Sequence, residues 1–404
     1  MIQIVGGTYY EKCFEPEWDE IYGSGLRACR AMLALNKTCK IEFHTFLEHD
    51  LIQYLEGFIE VYPTFAYFHK PIDKTITFSY DFPLSDPRIY PRMDIVATER
   101  NEISVTGEHI LLYGLIEGNA TVDGLKVVYD PQSPVNPVPF SATGSKAQHL
   151  AMVVNWSEAV KLAQTTDVES LKNFFFLSEK AEVLILKMGA KGALVANRHG
   201  KEALVPVYKT ENVWSIGSGD VFAAAFSYHW FNGMDEFISA QRASYATAEY
   251  CNFHDYQFSV FESNDSIGAL IVKEKPKGQI YLAGPFFTFA QRWLIDQIRK
   301  TFIDMGLSVF SPLHDVGYGI AHDIVSKDLD ALNRSSLVFS ILDGLDPGTL
   351  FEAGYAVSRN IPLIGYVQNE RSDSLIMLEG SSCAFESDLT TAIYKTYWKL
   401  AEHE

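Results

Sequence analysis

The sequence has few cysteines, a deficit of basic residues and no long apolar run. Its five cysteines form no CxxC pair and no Cys/His cluster at zinc spacing, which argues against a zinc site and fits a reducing compartment. No apolar run approaches the roughly 18 residues of a transmembrane helix, and no basic region precedes an apolar core at the N-terminus. We therefore expect a cytoplasmic protein with no membrane partner.

Acidic residues outnumber basic ones by 51 to 33, which gives a formal net charge of −18. A charge of this sign opposes binding to nucleic acid and to anionic lipid, so the expected partners are small molecules. A chain of 404 residues is too long for one compact core, and a hydrophobic content of 47% is enough for two. We therefore expect at least two globular domains.

Short β-rich apolar runs alternate with helical stretches, a pattern typical of parallel sheets covered by helices. A segment rich in charge, Pro and Gly interrupts this pattern just before a new strand, so we place a linker at 273–278, between domains at 1–272 and 279–404. The apolar runs lie at 2–5, 110–115, 126–129, 150–154, 183–188, 278–283, 337–342 and 361–367.

In the first domain, a glycine-rich turn precedes a run of small and apolar residues that is typical of a helix. The turn contains Gly217, Ser218, Gly219 and Asp220. Glycines that open a helix let backbone N–H groups point at an anion, and an acidic residue beside that anion is expected to handle a proton. A lone Gly-x-Gly-Asp is a common turn, but its place before a small-residue helix favours a functional interpretation.

This turn resembles the Gly-Ala-Gly-Asp signature of the ribokinase-like (PfkB) sugar and nucleoside kinases. The resemblance implies a three-layer α/β/α domain that uses ATP and Mg²⁺. It also implies that Asp220 is the base that deprotonates the acceptor hydroxyl, and that Gly217, Ser218 and Gly219 form the anion hole for the transferred phosphoryl group.

Three further segments follow in the order of that family. Asn155 and Glu158 match its Asn-x-x-Glu, whose Glu helps to organise Mg²⁺ and phosphate. Lys187 and Gly189 match its strand-turn-strand near the nucleotide. Glu11 stands where the family has an acidic residue that grips substrate hydroxyls, although a surface charge is an equal alternative for Glu11.

The first domain also departs from the family. Trp214 and Ser215 stand where an Asp-Thr pair is usual, and the substrate segment Gly-Gly-x-x-x-Asn is represented only by residues 24–29, Ser-Gly-Leu-Arg-Ala-Cys. A domain that only binds a regulatory nucleotide is therefore the alternative to a sugar or nucleoside kinase.

The second domain has a strand with Tyr281 that enters a Gly284-Pro285 turn. A later segment, 343–356, reads as a strand end, a turn and the start of a helix. At adjacent strand ends these segments would place a phenol and several carboxylates around one cleft. Breaking a C–N glycosidic bond creates positive charge at the anomeric carbon, which one carboxylate can attack or stabilise while a second acid protonates the leaving base.

The second domain resembles the nucleoside 2-deoxyribosyltransferases. The resemblance implies a smaller doubly wound, Rossmann-like or flavodoxin-like, parallel-sheet domain without a cofactor, in which Tyr281 orients the nucleophile Glu352. Asp346 and Asp328 would bind and protonate the nucleobase, with Asp330 as the alternative to Asp328. The expected substrate-binding residues of this domain are Gly284, Gly348 and Thr349.

Two alternatives concern this site. Thr349-x-x-Glu352 is also the pattern of a helix capping box, although the neighbouring Asp346 and the upstream Tyr281 favour catalysis. The transferase family completes its site with an Asn from a neighbouring subunit, for which Ser374 is only a loose match. Hydrolysis of a nucleoside, nucleotide or NAD, as in a phage-defence effector, is therefore the alternative to base exchange. Both families assemble from several subunits, so we expect a homo-oligomer.

Overall fold

The computed structural model describes residues 1–92, 101–133, 136–259, 268–317, 319–381 and 383–402, with the backbone alone at Asn101 and Ala321. The chain divides into two compact units. Unit 1 comprises residues 1–210 and 214–271, and unit 2 comprises 211–213 and 272–404. No helix in the described part of the chain is long and apolar enough to cross a membrane.

Unit 1 is built mainly from strands. They are β1 Ile2–Val5, β2 Tyr10–Cys13, β3 Trp18–Ile21, β4 Ile41–Leu47, β5 Phe65–Pro71, β6 Thr77–Tyr80, β7 Arg88–Tyr90, β8 Asn101–Tyr113, β9 Gly118–Asp130, β10 Lys146–Asn155, β11 Val183–Lys187, β12 Ala193–Asn197, β13 Glu202–Val205, β14 Val207–Lys209 and β15 Gly268–Leu270. The helices are α1 Gly23–Leu35, α2 Ile52–Val61, α3 Trp156–Ala163, α4 Val168–Asn173, α5 Ser218–Phe231 and α6 Glu236–Phe253.

Nine of these strands form one sheet in the order β13-β12-β11-β10-β9-β8-β1-β4-β5. The sheet is parallel except where β11, β12 and β13 pair antiparallel. Successive residues of a strand point to opposite faces, so Ile4 and Leu111 pack in one apolar core with α1, α5 and α6, whereas Val5 and Leu112 pack in another with α3 and α4. Two helix layers therefore cover the sheet, which confirms the predicted three-layer α/β/α arrangement.

Strands β8 and β9 have 13 residues each and pair in parallel from Asn101 opposite Gly118 to Tyr113 opposite Asp130. Only residues 114–117 join them. Because the strands are parallel, these four residues must lead from the end of β8 back to the start of β9, beside the start of β8. A straight strand of 13 residues would be about 43 Å long, a distance that four residues cannot span, so both strands must bend. The parallel register places Tyr113 and Asp130 at the same end of the sheet.

A second, four-stranded sheet of unit 1 has the order β3-β2-β6-β7, and β14 pairs with β15. The four-stranded sheet was not predicted, because its strands have only three or four residues and little apolar alternation. It matters for the site because β2 carries Glu11.

Unit 2 has a five-stranded parallel sheet in the order β17-β16-β18-β19-β20. Ile295 and Phe302 are buried on one helix of the unit, and Ala353 and Ala356 on another. This is the flavodoxin-like order, in which ligands bind where the order reverses, here between β16 and β18. The predicted doubly wound parallel sheet is thus confirmed. Its elements are β16 Gln279–Ala283, α7 Phe289–Asp304, β17 Ser308–Phe310, α8 Ala321–Arg334, β18 Leu337–Ile341, α9 Pro347–Ser358, β19 Leu363–Tyr366, α10 Ser372–Glu379, β20 Ala384–Glu386 and α11 Leu389–Ala401.

Candidate functional sites

The candidate site of unit 2 lies where the strand order reverses, between β16 and β18. Tyr281 is the third residue of β16, and its backbone pairs with Val338 of β18 on one side and Phe310 of β17 on the other. Glu352 lies on α9, the helix that follows β18. The hydroxyl of Tyr281 donates a hydrogen bond of 2.5 Å to Oε1 of Glu352. The structure therefore brings the two predicted residues together across 71 positions of sequence.

The surroundings of Glu352 oppose its ionisation. Burial raises its pKa to about 7, the nearby carboxylates of Asp328 and Asp346 add to the rise, and the hydrogen bond from Tyr281 acts in the opposite direction. Burial and the charge of Glu352 also raise the pKa of Tyr281, so the phenol stays protonated and remains a donor. The pair can hold a carboxylate whose charge is poorly compensated, which suits attack on an electron-poor carbon.

The capping-box interpretation of Thr349 and Glu352 is wrong. Helix α9 begins at Pro347, and its N-cap is Asp346, whose Oδ2 accepts from the amide of Thr349 at 2.8 Å and from its hydroxyl at 3.0 Å. Pro at the first helical position fits this start, since its missing N–H would have no partner there. Glu352 is one turn too late to cap the helix, so its carboxylate is left for Tyr281.

Asp328 also belongs to this cluster. Burial raises the pKa of Asp328, and its Oδ1 is buried without a hydrogen-bond partner among the described residues. Its charge acts on both Glu352 and Tyr281. The alternative, Asp330, is exposed and acts instead on Tyr355. The structure thus places Asp328 at the cluster and leaves Asp330 outside it.

Two other polar residues of unit 2, Asp343 and His314, have local partners. Asp343 accepts from the amides of Gln368 and Asn369, which agrees with a turn role. His314 bridges Ser311 and Asp296 through its two ring nitrogens.

The three residues predicted to bind substrate in unit 2 lie close to the cluster or to its strands. A Cβ at Gly348 would lie 3.0 Å from Oδ2 of Asp346, and one at Gly284 would lie 3.0 Å from Ile341. Thr349 is 2% exposed and its hydroxyl is used by Asp346. These positions keep the start of α9 and the end of β16 tightly packed.

The candidate site of unit 1 lies at the start of helix α5. Gly217 is the N-cap, with a φ of +74° that favours glycine, and Asp220 lies in the first turn. The amide of Ser218 donates to the carbonyl of Ser215 at 3.1 Å, so it is not free for an anion. A Cβ at Gly219 would meet only Nζ of Lys187, at 3.3 Å. An open glycine, a helix N-terminus and a lysine together fit a phosphate group.

Asp220 is surrounded by donors. Its Oδ2 lies 3.2 Å from Nη1 of Arg27, its Oδ1 accepts from Nε2 of Gln132, and its carbonyl accepts from the hydroxyl of Tyr113. Burial raises the pKa of Asp220 to about 6, although Arg27 and Gln132 act to lower it. Gln132 has a φ of +51°, an unfavourable backbone conformation that the loop after β9 holds in place.

The remaining nucleotide-site residues form two local groups. Lys187 at the end of β11 pairs with Asp130 at 2.5 Å, and burial raises the pKa of Asp130 to about 6. Asn155 and Glu158 form a reciprocal capping box at the start of α3, with hydrogen bonds of 2.8 and 2.9 Å. Gly189 begins the turn after β11. In the described part of the chain, no group of three acidic, His or Cys residues could hold a metal ion directly.

Glu11 is buried and paired rather than open. Its two oxygens accept from Arg27 at 3.0 and 2.5 Å, and Oε1 also accepts from the amide of Gly23. The roles of Arg27, Asp130 and Gln132 were not predicted from the sequence. Two features of the sequence could have indicated them. Arg27 lies inside the divergent substrate segment 24–29, and Asp130 and Gln132 lie at the end of a strand and in the loop that follows it.

Comparisons with known proteins agree with the two units. The model of the pfkB family carbohydrate kinases matches residues 128–259, and the model of the nucleoside 2-deoxyribosyltransferases matches residues 280–385. The 5-dehydro-2-deoxygluconokinase of Listeria innocua is 33% identical over 64 residues, which are 16% of this chain and 19% of that protein. The chain thus matches about a fifth of the length of that curated relative.

Similar solved structures are ribokinase-family kinases. The nucleoside kinase of Methanocaldococcus jannaschii is 13% identical with a TM-score of 0.47, and covers 63% of this chain and 93% of its own. The ribokinase of Thermotoga maritima is 16% identical with a TM-score of 0.44, and the match covers 64% of this chain and 94% of that chain. The fructokinase of Vibrio cholerae, with bound fructose, ADP and calcium ion, is 14% identical with a TM-score of 0.46, and the match covers 64% of this chain and 95% of that chain.

The two family models match the predicted combination of resemblances. The chain joins a part similar to the pfkB family carbohydrate kinases to a part similar to the nucleoside 2-deoxyribosyltransferases.

Proposed function

We propose that residues 279–404 cleave or exchange the N-glycosidic bond of a nucleoside or nucleotide, with Glu352 as the nucleophile. The hydrogen bond of 2.5 Å from Tyr281 to Glu352 carries this proposal, because it shows a carboxylate held by a phenol instead of capping its own helix. The position of the pair at the reversal of strand order, where such sheets bind ligands, supports it further.

In the proposed first step, a carboxylate oxygen of Glu352 attacks the anomeric carbon and forms a glycosyl ester while the C–N bond breaks. The electron pair of that bond goes to the base nitrogen, which takes a proton from Asp328 or Asp346. The raised pKa of Asp328 suits it to hold that proton. In the second step an acceptor base or water attacks the same carbon and gives its proton to the aspartate that was deprotonated in the first step, and Glu352 leaves as a carboxylate. Gly284, Gly348 and Thr349 would shape the substrate pocket.

The decisive experiment measures free nucleobase released from deoxynucleosides, nucleotides and NAD by the full chain. We expect release by the wild type and its loss in Glu352→Ala. Asp220→Ala, which alters unit 1, should retain it. Product formed only when a second base is present indicates exchange, and product formed in water alone indicates hydrolysis. Release that persists undiminished in Glu352→Ala would exclude Glu352 as the nucleophile.

For unit 1 we propose phosphoryl transfer from ATP to a hydroxyl of a sugar or nucleoside, with Asp220 as the base. The proposal is supported by Asp220 in the first turn of α5, beside an open glycine and Lys187. The phosphates would lie against Gly217, Gly219 and Lys187, while Glu158 and Asn155 would contact hydrated Mg²⁺ indirectly. Bound Mg²⁺ would neutralise phosphate charge.

The test for unit 1 is ATP consumption with Mg²⁺ and a panel of sugars and nucleosides. Consumption that Asp220→Ala abolishes supports the kinase role. Binding of ATP without any consumption would favour the alternative, in which unit 1 binds a regulatory nucleotide.

A further inference from the structure

We propose that Arg27 fills the position in unit 1 where an acceptor hydroxyl would meet Asp220, so that a polyol acceptor binds weakly unless it displaces the arginine. The proposal deepens the phosphoryl-transfer role of Asp220 and rests on it. It assigns to Arg27 the control of acceptor access, and it makes Glu11 and Asp220 the walls of a concealed acceptor subsite.

The guanidinium of Arg27 joins three separate segments. Arg27 comes from α1 and is 0% exposed. Its Nη1 and Nη2 donate to Glu11 of β2 at 3.0 and 2.5 Å, and Nη1 also approaches Asp220 of α5 at 3.2 Å. Its Nε donates to the hydroxyl of Tyr250 at 3.3 Å. Four of its five N–H groups are thus directed at protein partners, so it is not free to receive an anionic ligand.

The guanidinium also fills the space in front of the glycine turn. A Cβ at Gly217 would collide with the guanidinium of Arg27, so the missing side chain makes room for it. Gly6 and Gly25 help to bring α1 close, since a Cβ at Gly25 would lie 2.7 Å from the carbonyl carbon of Gly6. The guanidinium of Arg27 therefore packs against Gly217 and contacts both Glu11 and Asp220.

Both acids are consequently occupied. Each oxygen of Asp220 already faces a donor, from Arg27 or Gln132. Both oxygens of Glu11 face Arg27. A hydroxyl that approaches Asp220 must therefore compete with these donors. If Arg27 is shortened, two buried carboxylates face an empty space, which favours ligands rich in hydrogen-bond donors, such as polyols.

The experiment compares Arg27→Ala with Arg30→Ala in the full chain. Arg30 is the matched control, because it lies one turn later on α1 and donates to the hydroxyls of Tyr22 and Tyr54 instead of the acids. Binding of D-fructose, D-ribose and adenosine is measured by calorimetry. We expect at least one of them to bind Arg27→Ala about tenfold or more tightly than the wild type or Arg30→Ala. Methylguanidinium should compete with that ligand in Arg27→Ala alone.

Arg27→Ala leaves Glu11 buried without its partner, so this variant could misfold. A second variant therefore tests the proposal without an unpaired buried carboxylate. The double variant Arg27→Ala/Glu11→Gln removes that charge and should also gain acceptor binding. Equal acceptor binding by wild type and both Arg27 variants overturns the proposal, as does acceptor-dependent ATP consumption by the wild type that Arg27→Ala lowers. Gained binding with no ATP consumption in any variant upholds the proposal and excludes phosphoryl transfer instead.

Discussion

The carboxylate of Glu352 combines two properties that a nucleophile at an anomeric carbon requires. It is oriented by the phenol of Tyr281, and it lies beside two further carboxylates that disfavour its charge. A carboxylate that is costly to ionise gains more from the positive charge that develops at the sugar carbon. We expect the same arrangement to make the proposed activity of unit 2 sensitive to pH.

We expect kcat/KM for nucleobase release to rise with pH up to about 7, because only the ionised form of Glu352 can attack and its pKa is raised to about 7. At higher pH we expect kcat/KM to fall, because the acid that protonates the leaving base loses its proton. The measurement is a pH profile between 5 and 9, with the fold monitored by circular dichroism. A profile that is flat through this interval, in a chain that remains folded, would contradict the assignment.

Replacement of Glu352 by Gln should stabilise the fold as it removes activity. The pKa of about 7 in the folded state exceeds the ordinary value of 4.5, so the contribution of the protonated form is complete below pH 4.5 and is lost as the pH rises through 7. The variant avoids this loss, and its advantage should grow to about 3 kcal/mol at pH 8. Thermal unfolding at pH 4.5 and pH 8 tests this, and an advantage equal at both values would refute it.

Tyr281→Phe removes the donor but keeps the buried ring. A hydrogen bond to a charged group contributes about 1.5–3 kcal/mol, so we expect kcat to fall by about 10- to 100-fold. The acid limb of the pH profile should also move to higher pH, because the hydrogen bond from Tyr281 lowers the pKa of Glu352. A fall in kcat without this movement would assign Tyr281 to the sugar rather than to Glu352.

Helix α9 connects stability with chemistry through its N-cap. Asp346 closes the first turn and also adds its charge to the cluster, so one side chain has both roles. The two roles respond differently to substitution, since Asn caps a helix about as well as Asp but cannot donate a carboxylic proton.

We therefore expect Asp346→Asn to keep the thermal stability of the wild type and to lose activity, whereas Asp346→Ala should lose activity and about 0.5–2 kcal/mol of stability. Urea unfolding and nucleobase release are measured on the same preparations. Full activity in the stable Asn variant would restrict Asp346 to capping.

The assembly of the whole chain is expected to involve the edge of the sheet that carries the unit 2 site. Several large apolar side chains in segments that follow strands of unit 2 are exposed, and in a doubly wound fold such segments begin at one edge. They are Phe287 at 69%, Phe289 at 87%, Ile320 at 74%, Phe351 at 59% and Met377 at 82% exposure.

We expect light scattering of the purified chain to give the mass of a homo-oligomer, and Phe289→Asp to shift that mass towards the monomer. Val168→Asp is the matched control, because Val168 is an exposed apolar residue of unit 1 at 37% exposure. A monomeric wild type would contradict the expectation.

Features encoded within a few neighbouring residues could be read from the sequence. The apolar runs predicted strands such as β1, β10 and β18, and the glycine turn predicted the start of α5. The Tyr281 and Glu352 pair was predicted through family resemblance, since 71 positions separate the two residues. Short strands such as β2 and β6 escaped prediction, because they gain their stability from pairing with each other rather than from local pattern.

The partner of each buried charge could not be read in this way. Local spacing allowed Thr349 and Glu352 to cap a helix, yet the helix began at Pro347 and used Asp346. Arg27 and Asp220 are 193 positions apart and meet only because α1 and α5 pack on the same face of the sheet. Buried charges must find partners wherever the packed chain provides them, and that choice depends on contacts distant in sequence.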